Sequence, residues 1–385
     1  MFNNLIELIK SMPTEEMCRD YVAKQRWDGK PVCPYCKHDK CYVIEGGKRY
    51  KCASTKCFKR FTVTVGTIFE ASNVPLSKWL TAIYLIDSHK KGISSYQLGR
   101  DIGVTQKSAW FMLHRIREVM KCKSNVKLDN IVEIDEVYIG GKVPNMSKSK
   151  RKKLRDEGNT MNTKTMVMGF LERGGELKLI PISGTNNVMA IQPTVRDNVD
   201  KDAVLITDSL ASYQGLNNEY AGHEVVNHSE QEFVRDSVIH TNSIEGAFSM
   251  LRRSIYGIYH QVTPKHLARY CEETMHRYNL RKMSDAERFN YTMTKITGRL
   301  TYNELVNTKP LQNNNILTDT DIPTPKNLNG SKLGRPVYQI KDGEIIARFN
   351  SLTEAERITG IKMYAISHVL RGRKKTTAGY QWKYA

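Results

Sequence analysis

A chain of 385 residues, 40% of them hydrophobic, is long enough for roughly two to four domains with cores of their own. A formal net charge of +19 calls for a polyanionic partner, because neutralising phosphates releases their counterions. The segment MFNNLIELIKSMPTEEM lacks the basic-then-apolar pattern of a leader, and no apolar run reaches the about eighteen residues of a membrane span, so a cytoplasmic protein with reduced thiols is expected.

Residues 1–30 read as two short helices, the first with Leu5, Ile6, Leu8 and Ile9, the second with Cys18, Tyr21 and Val22. Residues 31–66 carry Cys33 and Cys36 in CPYC, then Cys52 and Cys57, with fifteen residues between the pairs. That spacing suits two knuckles holding one zinc ion in a tetrahedron of thiolates. Between the knuckles, CYVIEGGKRYKC alternates around a Gly-Gly turn and predicts a hairpin, which FKRFTVTVGT continues as a strand. Lys48, Arg49, Lys51, Lys59 and Arg60 interleave with aromatic residues there and form a candidate DNA-contacting surface. Cys18, Cys41, Cys122 and Cys271 have no partner at ligand spacing and read as buried or incidental thiols.

Residues 75–122 are helical, with YQLGRDIGV, a turn at Gly103 and TQKSAWFMLHRIREVM resembling a helix-turn-helix capped by Thr105. Lys107, Ser108, His114 and Arg115 are its candidate DNA contacts; a plain helical hairpin is the competing reading. Residues 128–285 form a mixed α/β block with strands in NIVEIDEVYIGG, KTMVMGFLERG, ELKLIPIS, DAVLITDS and HEVVNHS. Helices are expected in MAIQPTVRDN, SYQGLNNEY and from Asn242 to Ile255, and KSKRKKLR reads as a mobile Lys-rich loop. Residues 300–335, rich in Asn, Thr and Pro, read as a linker. Residues 336–385 read as a hairpin with a Lys-Asp-Gly turn, two short helices opened by a Ser351/Glu354 capping box, and a closing strand. Twelve Lys/Arg against four Asp/Glu over 326–385 give this segment a local +8, as a DNA-binding module requires.

Three acids stand out. Asp135 lies inside an apolar strand, where a carboxylate is costly unless paired or bound to a cation. Asp208 ends another apolar strand, and Glu245 sits beside the apolar face of a helix formed by Ile244, Phe248 and Leu251. Two such strands and a helix can gather the three acids around two Mg(II) or Mn(II) ions, the arrangement that cuts phosphodiesters.

The wording resembles one family closely. CPYC with RYKC and FTVTVGTIFE, then EIDEVYIGGK, LITDSLASY, VNHSEQEFV and HTNSIEGAFSMLRRSIYGIYHQVTPKHLARYCEETMHRYNLRK, are similar to bacterial insertion-sequence transposases of the DDE type with an N-terminal zinc ribbon. The resemblance spans roughly residues 15–285 and implies a ribonuclease H-like catalytic domain with Asp135, Asp208 and Glu245 as metal ligands. It also implies roles for Asn242 as an alternative third ligand, Arg252 where relatives place a lysine, Arg253 on phosphate, and His240 and the Asn227-His228 pair beside the site or on DNA. The last segment, SLTEAERITGIKMYAISHVLRGRKKTTAGYQWKY, resembles the modular DNA-binding repeat behind homing-type nucleases, with Ser367, His368, Arg371 and Arg373 as contacts and Lys374 and Lys375 on phosphate.

The expectation is therefore a multidomain α+β protein: N-terminal helices, zinc ribbon, helix-turn-helix region, ribonuclease H-like α/β catalytic domain, linker, and a small β-hairpin/helix-turn-helix module. Its expected activity is transposition: cleavage at transposon ends and joining of the 3′-OH to target DNA, with structural zinc and catalytic magnesium or manganese. The expected partners are double-stranded DNA and further copies of the chain, with no membrane and no small-molecule substrate, in a bacterial or phage-encoded, nucleoid-associated setting. The rivals are a non-catalytic regulator that only binds DNA and an endonuclease that cuts without joining.

Overall fold

The computed structural model describes residues 2–121, 126–141, 143–156, 164–182, 188–226, 240–308, 337–350, 352–361, 363–370 and 374–384. The chain divides into two compact units, Met1–Leu317 and Thr318–Ala385. The first opens with α1 (Leu5–Ser11) and α2 (Glu15–Trp27), whose first turns are capped by the side chains of Asn4 and Thr14. A three-stranded antiparallel ribbon follows, built of β1 (Cys41–Ile44), β2 (Arg49–Cys52) and β3 (Arg60–Phe61). β3 is shorter than FTVTVGT suggested: the Thr62 and Thr64 hydroxyls bond each other, and Gly66 turns the chain at φ 77°.

The helical region is α3 (Leu76–Ser88), α4 (Ser95–Ile102) and α5 (Gln106–Val119). Ser94 caps α4, Gly103 ends it in the left-handed region at φ 63°, and Thr105 caps α5, so the turn between the two helices is written in three residues. Trp79, Leu80, Ile83 and Ile86 of α3 are buried in a core shared with Leu98, Ile102, Met112 and Ile116.

The α/β block contains β4 (Ile131–Ile139), α6 (Lys148–Asp156), β5 (Thr165–Glu172), β6 (Leu177–Ile182), α7 (Val188–Asn198), β7 (Val204–Asp208), β8 (Gly222–Val226), α8 (Asn242–Ser254) and α9 (Pro264–Asn279). Among the described residues the sheet order is β6-β5-β4-β7-β8; β4, β5 and β6 pair antiparallel, and β7 and β8 run parallel to β4. Three antiparallel strands extended by two parallel ones past the first strand is the ribonuclease H-like arrangement. Alternation along β4 splits two cores. Val132 and Ile134 pack toward Ile191 and Val195 of α7, whereas Val137 and Ile139 pack toward Ile244, Phe248 and Leu251 of α8. Gly169 of β5 lies opposite Asp135, and a Cβ there would come within 2.6 Å of the Phe248 ring, so α8 rests directly on the sheet. After α9, α10 (Asp285–Thr294) returns Phe289 and Met293 to the N-terminal core, and α11 (Tyr302–Val306) ends the described part of this unit with a capping box on Thr301.

Three local expectations change. The first residues of the expected 300–335 linker are folded: Leu300 is buried and α11 buries Leu305. KSKRKKLR lies in helix α6 rather than a loop, as expected of a run of good helix formers without Gly or Pro. SYQGLNNEY forms two 3-10 turns, Ala211–Tyr213 and Leu216–Asn218, because Gly215 between them sits at φ 93°.

In the second unit β9 (Val337–Lys341) pairs with β10 (Glu344–Phe349) across the Asp342-Gly343 turn, and after α12 (Leu352–Thr359) and α13 (Met363–Leu370), β11 (Gln381–Tyr384) returns to the other edge of β9. Val337, Phe349, Ala355, Ile366, Val369 and Trp382 form its core. Residues 309–336, most of the expected linker, lie outside the described residues, as does Ser351 of the expected capping box, although Glu354 still accepts from the Asn350 N–H at 2.6 Å.

Candidate active site and metal centres

The four ribbon cysteines converge. The Sγ atoms of Cys36 and Cys52 stand 3.5 Å apart, those of Cys33 and Cys57 3.8 Å apart, and all four lie within 4.8 Å of one another. A tetrahedron with Zn–S bonds of ~2.3 Å has edges near this length, so the donor set fits zinc. Burial raises the Cys33 thiol, but the N–H groups of Cys36 and Tyr35 and the neighbouring thiols outweigh it and bring it down to about 7, toward the ligating thiolate. Of the other thiols, Cys18 and Cys271 are buried and Cys41 is half-buried, while Cys122 lies outside the described residues.

Around the ribbon, Lys48, Arg49, Lys59 and Arg60 are exposed and Lys51 is half-buried. Lys59 Nζ lies 4.7 Å from the Tyr35 ring centre and Lys51 Nζ 5.3 Å from that of Phe58, so the interleaving read from the sequence becomes a face of cations laid over exposed rings. In α5, Lys107 is exposed on the first turn. Arg115 and His114 are not available for DNA. Arg115 is buried, its guanidinium donating to the carbonyls of Leu300 (3.0 Å), Ile68 (2.9 Å) and Glu70 (2.8 Å), and His114 is fully buried against Trp110 and His266. Arg115 therefore ties three chain segments together. In the second unit Lys374 and Lys375 are exposed; Arg371 and Arg373, like Asn227 and His228, lie outside the described residues, as do the side chains of Ser367 and His368.

The acids meet at the end of β7. β4 and β7 pair in parallel with Glu133 beside Ile206, so two residues further on Asp135 lies beside Asp208. The carboxylates of Asp135, Asp208 and Glu136 approach within 4.8 Å of one another, and all three residues are half-buried. Asp135 accepts from the Glu136 N–H at 2.7 Å and Asp208 from the Leu210 N–H at 3.1 Å, which fixes one oxygen of each. Glu136 belongs to the opposite face of β4, and a hydrogen bond from the Tyr213 hydroxyl holds it. Burial pushes the Glu136 carboxyl up to about 7; the Tyr213 bond opposes this, and the charges of Asp208 and Asp135 add to it. A half-buried cluster of like charges built of oxygen donors fits a hard divalent cation. Glu136 was missed from the sequence, because strand alternation points it away from Asp135.

Glu245 is exposed on the first turn of α8 and does not belong to that three-carboxylate group, though its Oε1 lies 3.4 Å from the Thr241 hydroxyl. Its helix is nonetheless hung on β4. Glu133, two residues before Asp135 and completely buried, accepts from the N–H groups of Ser243 and Ile244, both at 3.0 Å. The same carboxylate pairs with Arg173 at 2.8 Å, and Arg173 also donates to the His240 carbonyl at 2.9 Å. A buried anion thus seats the positive end of α8 beside the strand that carries Asp135. His240 is half-buried in this network, its Nδ1 3.5 Å from Glu133, which places it beside Glu133 and Arg173. Asn242 is exposed as the first residue of α8, and Arg252 and Arg253 are exposed in its last turn.

Residues 127–279 match the model of the ISXO2-like transposase domain, and residues 13–60 that of the transposase zinc-ribbon domain; together the two cover more than half of the chain. Among curated proteins the chain is similar to an uncharacterized protein in transposable element ISH50 of Halobacterium salinarum, 29% identical over 257 residues, 64% of this chain and 84% of that protein. Among solved structures, a chain of the simian T-cell lymphotropic virus intasome in complex with PP2A regulatory subunit B56 gamma aligns over 71% of this chain and 87% of its own, at 12% identity and a TM-score of 0.21, too low to carry an argument. Ribbon cysteines, strand-end acids and sheet order all fall within the two matched regions: the chain belongs to the insertion-sequence transposases that join a zinc ribbon to a DDE domain.

Proposed function

We propose that this chain cuts DNA at the ends of a mobile element and joins the freed 3′-OH to target DNA. The observation that carries this reading is the meeting of Asp135 and Asp208, from strands 73 residues apart in sequence, with Glu136 beside them at one end of a ribonuclease H-like sheet. These oxygens would hold divalent cations, magnesium or manganese, which when bound would supply positive charge at a scissile phosphate and lower the pKa of an attacking oxygen. The third ligand in this reading is Glu245, with Asn242 as its alternative, both on the helix turn that Glu133 holds next to Asp135. Exposed Arg252 and Arg253 meet the phosphates of the bound strand.

The ribbon, with its zinc, and the α4–α5 pair grip the element's ends through Lys48, Arg49, Lys51, Lys59, Arg60 and Lys107. Two ends must be joined in one event, so the active species is a complex of at least two chains on double-stranded DNA.

The test uses labelled duplexes carrying the element's ends, with magnesium. Asp135→Asn and Asp208→Asn each lower strand cleavage by on the order of 10³ while DNA binding persists. Comparing Glu245→Gln with Glu136→Gln assigns the third ligand, the ligand's loss being the larger. Cleavage unchanged in Asp135→Asn and Asp208→Asn refutes the metal site, and cleavage without strand transfer turns the reading into an endonuclease.

A further inference from the structure

A cavity of about 430 Å³ opens between the far end of β4 and the end of α8, beyond the acids along the strand. Its floor is apolar, formed by Ile139, Ile255, Val262 and Leu267, and its rim carries Tyr256 and His260. α8 does not end in an ordinary cap here. It passes into a single π-helical turn, Ile255–Tyr259, which swings Tyr256 out to 46% exposure with its hydroxyl only loosely held, 3.4 Å from the Gly140 N–H and 3.3 Å from the Gly140 carbonyl. Single π-turns inside helices are often found where function requires a side chain to be re-aimed.

The exposed face of α8 joins this cavity to the acids. Glu245, Arg252 and Tyr256 follow one another at seven and four residues along that face, with Arg253 alongside. Arg252 is therefore about 10 Å beyond Glu245, and Gly140 at the cavity is roughly 16 Å along β4 from Asp135. That is about five base steps of duplex at ~3.4 Å, and fewer for a strand pulled out of its helix. On the other side of the cavity, the wall residues Asn145, Met146 and Ser147 lead straight into α6, in which six of nine residues are Lys or Arg. The cavity is an apolar hole with an aromatic lip, bordered by cations on two sides.

We infer that the cavity receives one unstacked base of the DNA strand held at the acids, with Tyr256 stacking on the base and Arg252 and α6 on the flanking phosphates. A phosphate chain accounts for the cations, and a flat heteroaromatic ring for the apolar floor and the tyrosine; neither feature is explained by an intact duplex, whose bases are not available to a side pocket. The inference rests on the DNA-processing reading above and adds which form of DNA the site prefers.

The test measures binding of the full chain, in calcium to prevent turnover, to a blunt 30-base-pair duplex and to the same duplex with a three-nucleotide single-stranded fork. A 2-aminopurine in the fork reports unstacking. The wild-type chain is expected to bind the fork about tenfold more tightly than the blunt duplex, as one stacked base provides. Tyr256→Ala removes that preference and leaves blunt-duplex binding in place, Tyr256→Phe keeps it, and Thr165→Phe, which fills the cavity from β5, removes it without touching the tyrosine. A fork preference that survives both Tyr256→Ala and Thr165→Phe, or equal wild-type binding of fork and blunt duplex, overturns the inference and leaves the DNA-processing reading standing. Failure to bind either duplex overturns both.

Discussion

Glu133 illustrates what a single side chain does in this site. It is fully buried, and its partners are the Arg173 guanidinium, the His240 ring and two backbone N–H groups from the start of α8. A carboxylate without those partners would not tolerate that position. Glu133→Gln leaves Arg173 with a neutral partner and weakens the hold on α8; the expected loss is about 3–5 kcal/mol in chemical denaturation, with a fall in cleavage larger than any fall in DNA binding. If the variant melts like the wild-type chain, Glu133 is not what seats α8. Strand alternation makes the residue legible in the sequence: Glu133 and Asp135 are two apart on one strand and so share a face. Glu136 was not legible in that way, since its carboxylate is brought to Asp208 by Tyr213, which stands on an irregular turn that no periodicity marks.

At the scale of elements, the surprise lies where α5 meets α9. His114, fully buried, packs on Trp110 and His266, and among the described residues neither of its ring nitrogens has a hydrogen-bond partner. Burial, then the charges of Arg117, His266 and Arg269, holds His114 far below the usual histidine range, while burial, Lys265 and Arg117 bring His266 down to about 4. Both are neutral in the folded chain, whereas the unfolded chain takes up their protons below about 6.5. This contribution is therefore complete above about pH 6.5 and is lost as pH falls, by up to about 1.4 kcal/mol per pH unit for each histidine. Denaturation curves between pH 7 and 4 should show that slope. His114→Phe, which keeps an aromatic ring and gives up no hydrogen bond, should reduce the slope by His114's share without lowering stability at pH 7; an unchanged slope would exclude His114 as a source. The sequence showed α4, α5 and the turn between them, because caps and Gly103 are local signals. It misassigned His114 and Arg115 because the C-terminal half of α5 is buried on all sides, and its own pattern cannot show that α9 and the segments at Ile68 and Leu300 cover its polar residues. The seat of α8 on the sheet makes a second prediction. Gly169→Ala places a methyl against Phe248 and Ile244 and should cost about 1–3 kcal/mol in thermal or chemical denaturation.

Across the whole molecule, four hydrophobic cores and one four-cysteine cluster among the described residues divide the work. The ribbon strands are two to four residues long; Tyr50, Phe61 and Val63 join them to the N-terminal core, while the thiolates of Cys36 and Cys57 at their open ends would be held by an ion. Zinc removal by a chelator, or Cys52→Ser, should loosen the ribbon and weaken DNA binding while the α/β core, measured by its own melting transition, remains. The C-terminal unit is a different matter. Neither family match extends past residue 279, yet the described residues of 337–384 build a core from Val337, Phe349, Ala355, Ile366, Val369 and Trp382. A unit that folds on its own core and carries a local charge of +8 over 326–385 can add DNA affinity without altering the acids at Asp135 and Asp208. If the C-terminal unit directs the chain to its target, removing residues 336–385 should leave cleavage at the element's ends within about twofold and scatter the insertion sites. Sequencing of insertion junctions from the full chain and the truncated one decides the point. Identical site distributions would mean that the catalytic block chooses its own targets, and a loss of end cleavage would mean that the C-terminal unit contributes to the active complex.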